Sequence, residues 1–198
     1  MAAIGIDRFM QNYIREIISK RRTIHDFQYS DLPQSILDDG LKLAVTAPNH
    51  RLTFPWQVKV VGRNTRAKLI TLALELKKNS FSHADEKANY TKSLEQKFLN
   101  PAALIVFGCK KSADPLLQQE DYAAVCCAIQ NFTLYMQALN LGCKWSTGDI
   151  TSSEAALLIL GFDPNHDTVV GFIWVGIPRS TPKPQIRPDL SKFVQYLT

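Results

Sequence analysis

Thr168-Val-Val-Gly-Phe-Ile-Trp-Val-Gly176 is the strongest strand signal in the chain. Pro101-Ala-Ala-Leu-Ile-Val-Phe-Gly-Cys109 is a second short apolar run, bounded by Pro and Lys, and reads as a fully buried strand. Val58, Val60 and Val61 give a third, Gly62-Arg-Asn64 a turn, and Trp145 to Thr147 begin a short strand or loop. Helical patterns lie between them. Residues 7–20 place Phe9, Tyr13, Ile14, Ile17 and Ile18 at helical spacing, and Ser30-Asp-Leu-Pro33 starts a second helix that Pro48 ends. Residues 65–99 are helical but increasingly polar and are expected as surface helices or a mobile cap. Residues 120–140 form the longest helical pattern, which Gly142 is expected to cap, and Ser152 to Leu160 form another. Four of the ten prolines lie between Pro178 and Pro188, an extended excursion before a weak strand at Phe193–Leu197. Helices and strands interleave too irregularly for a doubly wound nucleotide fold, so an α+β layered sandwich fits best.

At 198 residues the chain fits one domain, 1–198, with 63–100 as its variable helical part. Hydrophobic residues make up 45% and charged residues 21%, the balance of a soluble globular protein. A net charge of +5 makes anionic ligands plausible but is too modest to argue for nucleic acid. Cys109, Cys126, Cys127 and Cys143 form no Cys-x-x-Cys pair and no disulfide framework, so they read as free thiols in a reducing compartment. Met1 to Met10 lacks the apolar core of a secretory leader, and no apolar run is long enough to span a membrane. The expected location is the cytoplasm.

Lys20-Arg-Arg-Thr-Ile-His-Asp-Phe27 puts cations and a hydroxyl at the end of the first helix. Arg21, Arg22 and Thr23 offer fork-shaped donors and an O–H at one spot, which is what a phosphate monoester requires. The same cations would also favour a helix C-terminus without any ligand. Thr46-Ala-Pro-Asn-His-Arg-Leu-Thr-Phe-Pro-Trp56 is a polar loop in which His50 and Arg51 sit between two prolines, where a side chain can be presented to a ligand. Together the two segments look like parts of a site for a phosphate attached to a flat aromatic ring. Neither Gly-x-Gly-x-x-Gly nor a Walker-type loop is present, which argues against a dinucleotide or triphosphate held on such a loop.

These segments resemble the FMN-dependent nitroreductase family, in which an Arg-Arg-Ser triplet is followed by an Ala-Pro-Ser/Asp-x-x-x-x-Gln-Pro-Trp loop. Leu141-Gly-Cys-Lys-Trp-Ser-Thr-Gly148 and Gly176-Ile-Pro178 continue the family order, so the resemblance runs from residue 14 to 197. It implies a central, mostly antiparallel sheet flanked by helices. It implies FMN as cofactor, bound by Arg21, Arg22, Thr23, His25, Thr46, His50, Trp145, Ser146, Thr147 and Arg187. Arg187 fits the returning basic residue of the Pro-rich arm better than Arg179 or Lys183. Phe54 stands where the family has Gln, and His25 where it often has Arg or Lys.

The function that the resemblance implies is an FMN-dependent NAD(P)H oxidoreductase, acting on nitroaromatic, quinone or related acceptors by a ping-pong scheme. It further implies a homodimer, with the 46–56 loop reaching the partner's flavin. No catalytic side chain and no metal site is assigned, because the flavin carries the chemistry. Relatives with the same fold carry out dehalogenation or flavin breakdown, or bind flavin with little turnover, and these stand as alternatives.

Overall fold

A computed structural model describes residues 7–197; the reading of Met1 to Met10 falls largely outside that range. At the centre is an antiparallel sheet of β1 (Trp56–Val61), β2 (Ala103–Lys110), β3 (Gly142–Ser146) and β4 (Asp167–Gly176), in the order β1-β2-β4-β3. The two strongest apolar runs are the middle pair, with Ala103 opposite Val175 and Phe107 opposite Gly171. Both are buried along almost their whole length because helices cover both faces of the sheet. This is the layered α+β sandwich that the pattern predicts.

Strand alternation distributes the core between the two faces. Ile105, Phe107, Ile173 and Val175 meet α2 (Gln34–Ala44) and α5 (Pro115–Ala138), the latter through Val125, Ile129, Phe132 and Met136. Leu104, Val106, Phe172 and Trp174 face the other way. They pack on α3 (Arg63–Leu76), α4 (Ala84–Leu99) and α7 (Glu154–Ile159), which follows the one-turn α6 (Asp149–Ser152). Each fully buried Leu or Phe contributes about 1.5–3 kcal/mol. The stretch expected as a surface cap is therefore two helices with polar outer faces, whose Leu69, Ile70, Ala73, Leu94 and Phe98 belong to the core. Arg66 ties this layer together from inside: its guanidinium donates to the carbonyls of Val61, Phe98, Pro101 and Ala102.

Three expectations are corrected. The long helix begins at Pro115 rather than 120, because Asp114 caps it by accepting from the Leu116 N–H and Pro115 suits its first turn. Gly142 does not cap that helix; Asn140 takes the left-handed turn (φ 58°), and Gly142 opens β3. A Cβ on Gly142 would lie 2.5 Å from Ile24 Cγ1, so close packing is what requires glycine there. Phe193–Leu197 is not a strand: Leu190–Lys192 forms a single turn, and the residues after it are exposed without a ladder partner. A run with no neighbour to bond to cannot complete a strand.

Candidate functional site

α1 (Arg8–Lys20) ends where residue 21 turns extended, and the chain then runs beside edge strand β3. Thr23 bridges Cys143 in parallel, and the Ile24 N–H donates to the Cys143 carbonyl at 3.0 Å. Ile24 is buried, whereas Thr23 and His25 are exposed. The period of two in extended chain thus puts Arg21, Thr23 and His25 on one side and Arg22 and Ile24 on the other.

The two arginines differ as a result. Arg22 folds back on the end of α1, its Nη1 donating to the carbonyls of Ser19 at 2.6 Å and Arg21 at 2.8 Å. It behaves as a helix C-terminal cation, although its Nε is buried without a protein partner. Arg21 pairs with no carboxylate among the described residues and lies close enough to Cys143 to favour its thiolate.

Further along β3, alternation separates two residues assigned to the same role. Trp145 lies on the α5 face and donates from Nε1 to the Val170 carbonyl at 3.3 Å. Ser146 lies on the opposite face, where its hydroxyl accepts from the buried Trp174 Nε1 at 2.8 Å. Gly171 leaves the space that the Trp145 indole fills, since a Cβ there would sit 2.1 Å from Nε1. Thr147 opens onto a hollow of about 130 Å³, lined also by Tyr90, Lys97, Phe98 and Gly148.

Sequence reasoning missed Lys97 and Lys144. Burial lowers the pKa of both ammonium groups, and for Lys97 the nearby charge of Lys144 lowers it further. Neither has a carboxylate partner among the described residues, so an anion placed here would relieve both costs. Lys97 was hidden because it closes a polar helix; only the packing of α4 brings it beside Thr147 and Gly148.

Cationic groups therefore flank the whole of β3. From the Thr23–Cys143 bridge to Ser146 is three residues, about 10 Å at ~3.4 Å per residue.

Thr46 and His50 belong elsewhere. Thr46 lies in the turn after α2, its hydroxyl donating to the Leu43 carbonyl at 2.7 Å. It borders an apolar groove of about 590 Å³ between α1 and α5, lined by Ile14, Ile17, Ile18, Leu43, Leu134 and Tyr135. His50 Nε2 is 3.9 Å from Glu120 Oε2 near the start of α5, whereas Gln137 near its end borders the hollow that holds Arg22. Seventeen residues of helix separate those two points, about 26 Å. Within one chain, His50 does not reach the arginines.

The loop around His50 is strained. Arg51, Leu52 and Phe54 have φ of 55°, 51° and 48°, the left-handed region that costs a non-glycine residue about 1–2 kcal/mol each. Three polar side chains hold it. Asn49 Oδ1 accepts from the Phe54 N–H at 2.7 Å, and Asn49 Nδ2 donates to Thr53 Oγ1 at 2.9 Å. That hydroxyl in turn donates to the buried Asp121 carboxylate at 2.5 Å.

The Pro-rich arm begins where Phe27 bridges Pro178. Arg179 pairs with Asp26 at 3.2 Å, and Arg187 lies exposed further along.

The nitroreductase family model matches residues 18–177, nearly all of the chain from the end of α1 to the end of β4. YfhC of Bacillus subtilis, a provisionally named NAD(P)H nitroreductase, is 29% identical over 180 residues, covering 89% of this chain and 90% of YfhC. A nitroreductase-like family protein from Bacillus cereus has the same fold at a TM-score of 0.79, with 29% identity over 93% of this chain and 95% of its own. A nitroreductase from Desulfitobacterium hafniense, solved with bound FMN, superposes at 0.71 with 16% identity, covering 94% and 99% of the two chains. With the family model matched over most of its length, the chain belongs to the nitroreductase family.

Proposed function

We propose that this chain is an FMN-dependent NAD(P)H oxidoreductase that reduces flat acceptors, nitroaromatic or quinone-like, and works as a homodimer. The observation that carries the reading is the alignment of Arg21, Thr23 and His25 along edge strand β3, which leads to Trp145, Ser146 and Thr147. Arg21 has no acidic partner among the described residues, and Lys97 and Lys144 are partly desolvated and unpaired there, so the donor set suits a ligand with a phosphate at one end and a polar ring at the other. Arg21 and Thr23 would hold the phosphate, helped by His25 and by Arg187 from the arm. Arg22, spent on the helix end, would act chiefly through its field. Thr147, Lys97 and Lys144 would face the ring end, with Ser146 held in place by Trp174. FMN held by these residues would supply the redox chemistry between NAD(P)H and the acceptor.

The dimer is supported by the separation of the two site regions and by the apolar groove between α1 and α5. Ile14 and Ile18 are more than half exposed, an unusual state for isoleucines on one face of a helix. A two-fold pair covering that groove would bring the Thr46 and His50 region of one chain to β3 of the other. No second nucleotide-binding loop is present, so NAD(P)H and acceptor would use one open face in turn. Flavin absorbance of the purified protein and extraction of FMN test the cofactor. In stopped flow, NAD(P)H alone should bleach the flavin band, and later addition of a quinone should restore it. Reduction that waits for both substrates would overturn the alternating scheme.

A further inference from the structure

The loop over residues 49–54 holds more left-handed non-glycine residues than any other part of the described chain, and it is tied to a buried carboxylate. Thr53 has its hydroxyl engaged from both sides, accepting from Asn49 and donating to Asp121. Asp121 is 5% exposed and stands in the first part of α5, where the helix is fixed against β2. The backbone bend that follows turns side chains outward: Leu52 is 69% and Phe54 57% exposed, with Arg51 beside them. Phe54 has an edge-on contact with Trp56 at 6.3 Å, which limits its swing. A loop meant only to connect α2 to β1 would gain by burying these apolar groups and relaxing. Here the sequence spends strain to display them.

We propose that Asn49, Thr53 and Asp121 are positioning residues that hold Leu52 and Phe54 as a rigid apolar edge selecting hydrophobic, flat acceptors. This rests on the composite two-chain site proposed above, where the edge would border the open face over the partner's β3. Leu52 and Phe54 would supply apolar area for an extended ring system, and Arg51 would set the outer limit of the edge. A fixed edge discriminates better than a floppy one because no ordering entropy is lost when the acceptor docks.

The relay can be tested without turnover. Trypsin cleavage after Arg51, followed by mass of the fragments, reads how firmly the loop is held. Thr53→Val keeps the side-chain shape but loses both hydrogen bonds, and should raise cleavage at that bond about tenfold. Thr53→Ser should cleave at the wild-type rate; Asp121→Leu, which removes the acceptor, should behave like Thr53→Val, and if it fails to fold the threonine pair decides alone. Acceptor selectivity is read as kcat/KM for naphthoquinone over benzoquinone. Thr53→Val and Phe54→Gln should each lower that ratio several-fold, mostly through KM, and Phe54→Gln should do so without faster cleavage. Unchanged cleavage in Thr53→Val overturns the relay. An unchanged ratio in Phe54→Gln overturns the selecting edge. A purified protein that takes up no FMN overturns the functional reading and the acceptor role with it, and the cleavage rates then judge the relay separately.

Discussion

The two edges of the sheet are built for opposite purposes. At β3 the edge is covered by the chain's own residues 23 and 24 and lined with cations: Arg21 at the start, Lys144 within, Lys97 beyond. At β1 the edge is preceded by a strained turn that shows apolar side chains to solvent. Three inter-strand steps lie between them, about 14 Å. One edge gathers cations along its length, and the other shows Leu52 and Phe54 to solvent with Arg51 beside them. In the proposed homodimer a second copy would bring the two edges together.

The largest expected effect therefore comes from breaking the pairing itself. Ile17→Glu places a carboxylate in the α1–α5 groove, twice in a two-fold pair, and each unpaired buried charge costs about 3–5 kcal/mol. Sedimentation should then find monomer at micromolar concentration, and the protein should purify without flavin. A dimeric, yellow Ile17→Glu protein would place the interface elsewhere.

Next comes the charged edge alone. Arg21→Ala removes the arginine that alternation directs toward Thr23, and should weaken FMN by one to two decades, about 1.5–3 kcal/mol. Riboflavin, without a phosphate, should bind as before. Arg22→Ala should affect FMN less, since that guanidinium already serves Ser19 and Arg21. Equal losses for the two variants would mean that the difference between the arginines is not functional.

A smaller effect compares packing at the two edges. Gly171→Ala drives a Cβ into Trp145 and should cost about 1–3 kcal/mol with a shift in tryptophan fluorescence. Gly62→Ala, just after β1, meets no atom within 4 Å and should fall within about 0.5 kcal/mol of wild type. If both variants melt alike, Trp145 is not the tight element that its contacts imply.

How much of this was legible from sequence depended on whether a residue's surroundings are local. β2 and β4 could be read because their apolar runs are continuous and bounded by Pro, Lys and Gly. The start of α5 carried its own signal, Asp114-Pro115, but the polar Gln118 to Asp121 that follows obscured the helical period. The arginine pair was legible as a phosphate signal, yet which arginine is free depends on residue 21 turning extended, which the triplet does not encode. Lys97 was unreadable: it borders the hollow at Thr147 and Gly148 only because α4 folds beside the corner after β3. The separation of His50 from the arginines was equally hidden, since sequence order is the same whether one chain or two complete the site.

The last comparison uses one thiol near each edge. Cys109, opposite Trp56 of β1, has its pKa raised from 9.0 to about 11, first by burial and then by Asp121. Cys143, the bridge partner of Thr23, is raised from 9.0 to about 12 by burial, with Arg21 pulling it partly back. In the unfolded chain both ionise near 9.0, while the folded chain keeps its protons. Above that pH the unfolded state binds fewer protons, so stability is full below pH 9.0 and declines as pH rises toward about 11 for Cys109 and about 12 for Cys143. At about 1.4 kcal/mol per pH unit the full decline should come to about 3 kcal/mol for Cys109 and about 4 kcal/mol for Cys143, read as denaturation midpoints across the alkaline range. Cys109→Ala should flatten one part of the slope and Cys143→Ala the other, whatever their absolute stabilities. Arg21→Ala should push the folded pKa of Cys143 higher and carry to higher pH only the part of the decline that Cys143→Ala removes. A decline that ends at the same pH with and without Arg21 would mean that the arginine's charge does not reach β3, and the charged edge would lose its first member.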